Sequence, residues 1–225
     1  MILLVTDTSG KSGTVALARA AANNSSNIEV LEVASLSGGA FSAQLVPQIA
    51  ALLARQELTK FDIGAFIVVA GPGSFTGLRV GLAAIKALAE ILKKPIAAVS
   101  LLEALALSSG GEGRIVSVLD AGRGEVYVGQ YDITNQSAAF LDEKLLSRDA
   151  FLNSADPRAV ATADQALADL ARSAGISVCP LEPVTVEAIA GLGWKKLQAG
   201  KSLSPEQLEA NYIRRDTEIF TKTSS

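Results

Sequence analysis

An apolar strand that ends in aspartate and doubles straight back occurs twice in this chain, and that repetition constrains the fold most. The first copy is Ile2-Leu3-Leu4-Val5-Thr6-Asp7, followed by the polar turn Thr8 to Gly13 and the β-favouring run Thr14 to Ala18. The second is Ile115-Val116-Ser117-Val118-Leu119-Asp120, followed by Ala121-Gly122-Arg123-Gly124 and the run Glu125 to Tyr131. Short apolar runs bounded by Gly, Ser and Asp read as hairpins.

The segments after the two hairpins also match. In the first half, Ile28 to Val33 alternates as a third strand after a polar turn over Asn23 to Asn27. Phe41, Leu45, Ile49, Leu52 and Leu53 fall at helical spacing, with Pro47 predicting a helix start or bend. Ala65 to Val69 is a buried strand, a helix spans about Leu78 to Leu92, and Ile96 to Ser100 is a strand. Leu101 to Ser108 reads as helical and Ser109 to Gly113 as a linker. In the second half, strands over Arg158–Ala163 and Ile176–Cys179 flank a helix over Asp164–Ser173, and a last helix spans Val186–Gln198. The prediction is an α/β chain of two lobes, 1–108 and 114–225, each β-hairpin–β–α–β–α. Two tandem RNase H-like lobes are the architecture of the actin-like ATPase (ASKHA) superfamily, an analogy of fold that leaves activity open.

Composition narrows the chemistry. The chain has no histidine, which excludes imidazole metal sites, Ser-His and Cys-His nucleophiles and histidine bases. A single cysteine, Cys179, cannot form an internal disulfide and fits a reducing, cytoplasmic setting. A net charge of −3 does not suggest unaided nucleic-acid binding. The apolar stretch Val80–Leu107 is cut by Lys86, Glu90, Lys93, Lys94, Pro95 and Glu103, so no membrane span is expected.

The sharpest motif is Gly71-Pro72-Gly73-Ser74-Phe75-Thr76-Gly77, between a strand and a helix. Its backbone N–H groups would sit at a helix N-terminus, where anions are favoured. The spacing matches neither a dinucleotide fingerprint nor a Walker loop, and a tight structural turn explains it equally. Arg79 places a cation in the first helical turn, against the macrodipole by about 0.3–1 kcal/mol, which suits either a carboxylate, phosphate or partner nearby or, equally, a solvated surface arginine. Gly77, Gly81 and Ala84, completed by Leu88, form a stripe that suits close approach, either to this chain's own sheet or to another subunit's helix. With the Phe41–Leu53 helix it offers two adjacent apolar helices as a docking surface. Asp7 and Asp120 would face the cleft of an actin-like fold, where such carboxylates hold Mg²⁺ and phosphates, although aspartates that end strands at turns are commonly structural. The turn where an adenosine-binding Gly-Gly should stand reads Thr162-Ala163-Asp164.

These residues together resemble the TsaB (YeaZ) family, paralogues of the threonylcarbamoyl transferase subunit TsaD. The resemblance rests on the strand ending Asp7-Thr8-Ser9, on Gly71 through Gly81, and on Pro95 with Val99-Ser100-Leu101. It continues through Asp120 to Tyr127 and Tyr212-Ile213-Arg214-Arg215, in order across nearly the whole chain.

The resemblance implies an actin-like fold and a role in forming N6-threonylcarbamoyladenosine (t6A) beside the anticodon of ANN-decoding tRNAs. It implies no catalytic residue, metal or cofactor of this chain's own. Family members bind a TsaD-like catalytic subunit as a heterodimer through first-lobe helices and work with a TsaE-like ATPase. They meet tRNA only through the complex, and the same helices could pair as a homodimer in isolation. TsaD-like proteins hold metal through His-x-x-x-His, which this chain lacks, as it lacks the histidine many relatives carry near Ser42. Carried over by position, the interface comprises Leu45, Ile49, Leu52, Leu53, Val80, Gly81, Ala84 and Leu88. Gly77 and Gly81 are expected to allow close helix approach and Arg79 to make a polar contact. Gly73, Ser74 and Thr76 shape the loop, which with Asp7 and Asp120 is the possible phosphate site. The alternative is an active ATP-dependent, kinase-like enzyme of the same fold.

Overall fold

The computed structural model describes residues 1–21, 28–154 and 160–213. In chain order the elements are β1 (Ile2–Asp7), β2 (Gly13–Ala20), β3 (Ile28–Leu36), α1 (Phe41–Arg55), β4 (Ile63–Gly71), α2 (Phe75–Leu92), β5 (Ile96–Ser100) and α3 (Leu101–Ser108). The second half adds β6 (Gly113–Gly122), β7 (Glu125–Thr134), β8 (Ser137–Ser147), α4 (Arg148–Asn153), β9 (Val160–Thr162), α5 (Gln165–Ser173), β10 (Val178–Pro180) and α6 (Val186–Gln198). The first sheet has the order β3-β2-β1-β4-β5 and the second β10-β9-β6-β7-β8. In each, three antiparallel strands are extended by two parallel ones. The repeated hairpin of the sequence is thus a repeated topology, and the chain is an α/β protein of the duplicated RNase H-like, actin-like class.

The first unit is continuous over Met1–Leu101 and regains Thr185–Asn211; the second holds Leu102–Val184 and resumes at Tyr212. This differs from the division read from sequence at 108 and 114. Helix α6, expected in the second lobe, packs on the first sheet, where Gly193 backs directly onto Ile67. Helix α3 joins the second unit, with Leu102 and Ala106 against Ile115, Tyr127 and Tyr131. Both helices are apolar on their buried side, and sequence does not say which sheet that side meets.

The first core lies between its sheet and helices α1 and α2, which pack side by side. Leu4, Leu17, Phe66 and Val68 of the sheet meet Leu45, Ile49, Leu52, Leu78, Leu82 and Ile85. Alternation along the strands sends Ile67 to the opposite face, which α6 covers.

Local chemistry explains several boundaries. Pro47 stands inside α1, where it costs one helical hydrogen bond, but it and Ala43 are exposed and water can serve the freed carbonyl. Helix α2 begins at Phe75 rather than Leu78, because Ser74 caps it: the Ser74 hydroxyl accepts from the Gly77 N–H at 3.3 Å. Strand β8 and the six-residue α4 carried no clear sequence period; the β7–β8 register shifts between Gln130 and Tyr131. The expected turn Asn23–Asn27, the first two residues of the Arg158 strand, and Arg214 and Arg215 lie outside the described residues.

Candidate functional site

The glycine motif and the Asp7-Thr8-Ser9 turn, far apart in sequence, form one packed unit. The Ser74 N–H donates to the Ser9 carbonyl at 2.7 Å. A Cβ placed on Gly73 would lie 2.7 Å from the Ser9 Cβ, and the Ser9 carbonyl oxygen stands closer still. On Gly77 a Cβ would collide with the Thr8 carbonyl oxygen, and on Gly81 with Thr8 Oγ1. The four-residue spacing of Gly73, Gly77 and Gly81 is therefore a row of notches filled by the chain's own first turn. Glycine is required because a side chain has nowhere to go.

Within the loop Ser74 caps α2, Thr76 is exposed and Gly73 is closed by Ser9, as suits the tight structural turn that the sequence offers beside an anion site. One expectation is corrected. Gly77 and Gly81 do not admit a partner's helix; they are buried against Thr8 and Phe41.

Asp7 ends β1 with its carboxylate turned onto Ser9, accepting from the backbone N–H at 2.8 Å and the hydroxyl at 2.5 Å. Burial pushes the Asp7 carboxyl above its ordinary value, and the two Ser9 hydrogen bonds pull the other way without overcoming it. Asp120, its counterpart in the second unit, is held differently. Arg148 Nη2 donates to Asp120 Oδ1 at 3.0 Å, and the Arg148 backbone N–H donates to the Gly124 carbonyl at 2.9 Å. Where an adenosine-binding turn would stand, Asp164 caps α5 by accepting from the Leu167 N–H at 3.1 Å. Among the described residues no group of three or more Asp, Glu or Cys side chains stands together as a metal-binding set.

The carried-over interface residues divide by burial. Leu45, Ile49, Leu52 and Leu53 face inward and are part of the first core. They cannot be surface contacts in the folded chain, because the helical stripe they form is the one that meets the sheet. Val80, Ala84 and Leu88 are partly buried, and Arg79 is exposed with its guanidinium 3.7 Å above the Phe75 ring.

The outward side of both helices also carries a stripe of apolar residues, flanked by the polar Ser42 and Arg55 on α1 and Thr76, Arg79 and Glu90 on α2. On α1 it carries Ala43, Val46, Pro47, Ala50 and Ala54; on α2 it carries Ala83, Ala87 and Ile91 beside Val80, Ala84 and Leu88. Val46 is 55% exposed and Ile91 70%. Sequence reading missed this outer stripe, although the signal was present: both helices are apolar over more than one face. A helix covered on one side alone normally turns charge to solvent on the other.

No helix of the described residues is long and apolar enough to cross a membrane. Residues 33–196 match the family described as TsaD: tRNA N6-adenosine threonylcarbamoyltransferase. The tRNA threonylcarbamoyladenosine biosynthesis protein TsaB of Bacillus subtilis is 40% identical over 95 residues, covering 42% of each chain. Its namesake from Escherichia coli is 26% identical over 183 residues, covering 76% of this chain and 79% of that one. Alignment thus spans less than half of the Bacillus protein and most of the Escherichia protein. YeaZ from Pseudomonas aeruginosa shares the fold, with a TM-score of 0.72 at 23% identity over 94% of this chain and 99% of that one. The glycine row and the strand that feeds it lie within the matched region or pack directly onto it. The chain belongs to the TsaD family, tRNA N6-adenosine threonylcarbamoyltransferase, as a TsaB (YeaZ)-type member.

Proposed function

We propose that this chain is a non-catalytic subunit that docks on a TsaD-type catalytic subunit through the outer side of α1 and α2. In that role it supports N6-threonylcarbamoyladenosine formation beside the anticodon of ANN-decoding tRNAs. The observation that carries the reading is the outward stripe of small apolar residues running over two neighbouring helices. Removing such surface from water favours association, and alanines allow close helix approach. The Arg79–Phe75 stack adds a pair of residue types enriched at interfaces.

The chemistry of the chain agrees with a supporting role. With no histidine it cannot build a His-x-x-x-His site, so the metal and the transfer reaction fall to the partner. Its acidic balance leaves tRNA phosphate contacts to that partner, and a TsaE-like ATPase completes the complex. The same stripe could pair two copies of this chain when the partner is absent. The kinase-like alternative has weaker support, because Asp120 is engaged by Arg148 and the glycine loop is filled by the Thr8–Ser9 turn.

The test is threonylcarbamoyl transfer to tRNA by purified TsaD- and TsaE-type proteins, supplied with threonylcarbamoyl-AMP, with and without this chain. Transfer that depends on the chain, and is lost with Ala83→Arg, supports the reading. Equal transfer in its absence rejects it.

A further inference from the structure

We infer that the turn between β1 and β2 sets the spacing of α1 and α2 that the partner reads, with Thr8 as a positioning residue for docking. The inference rests on the docking role proposed above, and it concerns residues buried beneath that surface. Thr8 and Ser9 are 1% and 5% exposed, so neither can touch a partner.

The β1–β2 hairpin meets the inner side of both helices, through Thr8 of its turn on α2 and Gly13 at the start of β2 on α1. Phe41, the first residue of α1, lies in two glycine notches at once. A Cβ on Gly13 would stand 3.0 Å from its Cε1, and a Cβ on Gly77 would stand 3.1 Å from its Cε2. Thr8 fills the next positions along α2, its carbonyl oxygen against Gly77 and its Oγ1 against Gly81, with its Cβ and Cγ2 each 3.3 Å from a Cβ there. Ala83 and Ala84 share the helical turns of Gly81 and move with it. Interiors packed to this density transmit displacement rather than absorb it, so a methyl in a filled notch shifts the helix.

The two notches on α2 are blocked by different groups, and that difference supplies the experiment. Gly77 is closed by a backbone carbonyl, which no substitution removes. Gly81 is closed by a side-chain hydroxyl, which Thr8→Ala deletes. Affinity for a purified TsaD-type partner is measured by calorimetry, alongside the Tm, for Gly81→Ala, Thr8→Ala, the double variant and Ala87→Arg.

Gly81→Ala is expected to weaken binding at least about tenfold, and the double variant to return to within about threefold of the unaltered chain. A Gly81→Ala chain with lowered Tm but unchanged affinity overturns the inference, as does a double variant that stays weak. Should Gly81→Ala fail to fold, Thr8→Val carries the test: its larger methyl presses on Gly81 and should weaken binding about threefold. Unchanged affinity in that variant overturns the inference too. Ala87→Arg, on the exposed side and away from the notches, separates the two claims. If it binds normally, the docking reading fails and the positioning role with it. If it abolishes binding at normal Tm, docking stands and the Gly81 series alone decides the role of Thr8.

Discussion

Arg148 reaches the Asp120 carboxylate at 3.0 Å while its own N–H closes the hairpin on Gly124. The aspartate best placed by analogy to serve a metal or phosphate in the second unit is therefore spent on tethering its own turn. Both side chains are about two-fifths exposed, so the pair contributes about 0.2–1 kcal/mol. Asp120→Asn should lower stability by no more than that and leave t6A synthesis by the reconstituted complex unchanged. Loss of synthesis by a folded Asp120→Asn chain would restore the ATP-dependent alternative.

The inner and outer sides of α1 and α2 should respond oppositely to substitution. Leu52→Ala hollows the core and should cost about 2–5 kcal/mol in chemical denaturation. Ile91→Ala, at an exposed position, should change stability by less than about 0.5 kcal/mol yet weaken partner binding. Ile91→Ala binding as well as the unaltered chain would move the interface off this part of α2.

Asp7 makes stability depend on pH in a definite direction. Its folded carboxyl titrates above its unfolded value, so the folded state binds the proton more tightly. Stability from this group is fully present below the unfolded value and is lost as pH rises through the folded one. Asp7→Asn cannot ionise, so its stability relative to the unaltered chain should increase as pH rises from about 4 towards neutrality. Denaturant midpoints across that range measure it, and a flat or falling difference contradicts the assignment.

Thr6 is fully buried in β1 and its hydroxyl finds no hydrogen-bond partner among the described residues. An orphaned buried polar atom costs about 1–3 kcal/mol. Thr6→Val keeps the branched shape and removes the cost, so its Tm should rise. A lower Tm would mean that the hydroxyl is satisfied in solution.

Much of the local structure was legible from residue pattern, and the failures share a cause. Val186–Gln198 was readable as a helix, yet its assignment to the first sheet depended on a packing choice that no local signal encodes. Leu45, Ile49, Leu52 and Leu53 were readable as one face of α1. Because Val46 and Ala50 are apolar too, periodicity could not tell the core side from the exposed side. The glycine row announced a close approach by its spacing, but not that Thr8 and Ser9 make it, since only the pairing of β1 with β4 brings the two segments together.

The return of α6 to the first unit has a consequence for how the chain is made. A nascent chain emerging from the ribosome presents all five strands of the first sheet by Ser100, with one face still bare around Ile67. The helix that covers this face emerges only after nearly the whole second unit has been synthesised. The first half must therefore wait, partly naked, for a segment encoded near the other end. A fragment stopping at Ser108 would keep that bare face permanently, so it should aggregate rather than serve as a minimal docking module.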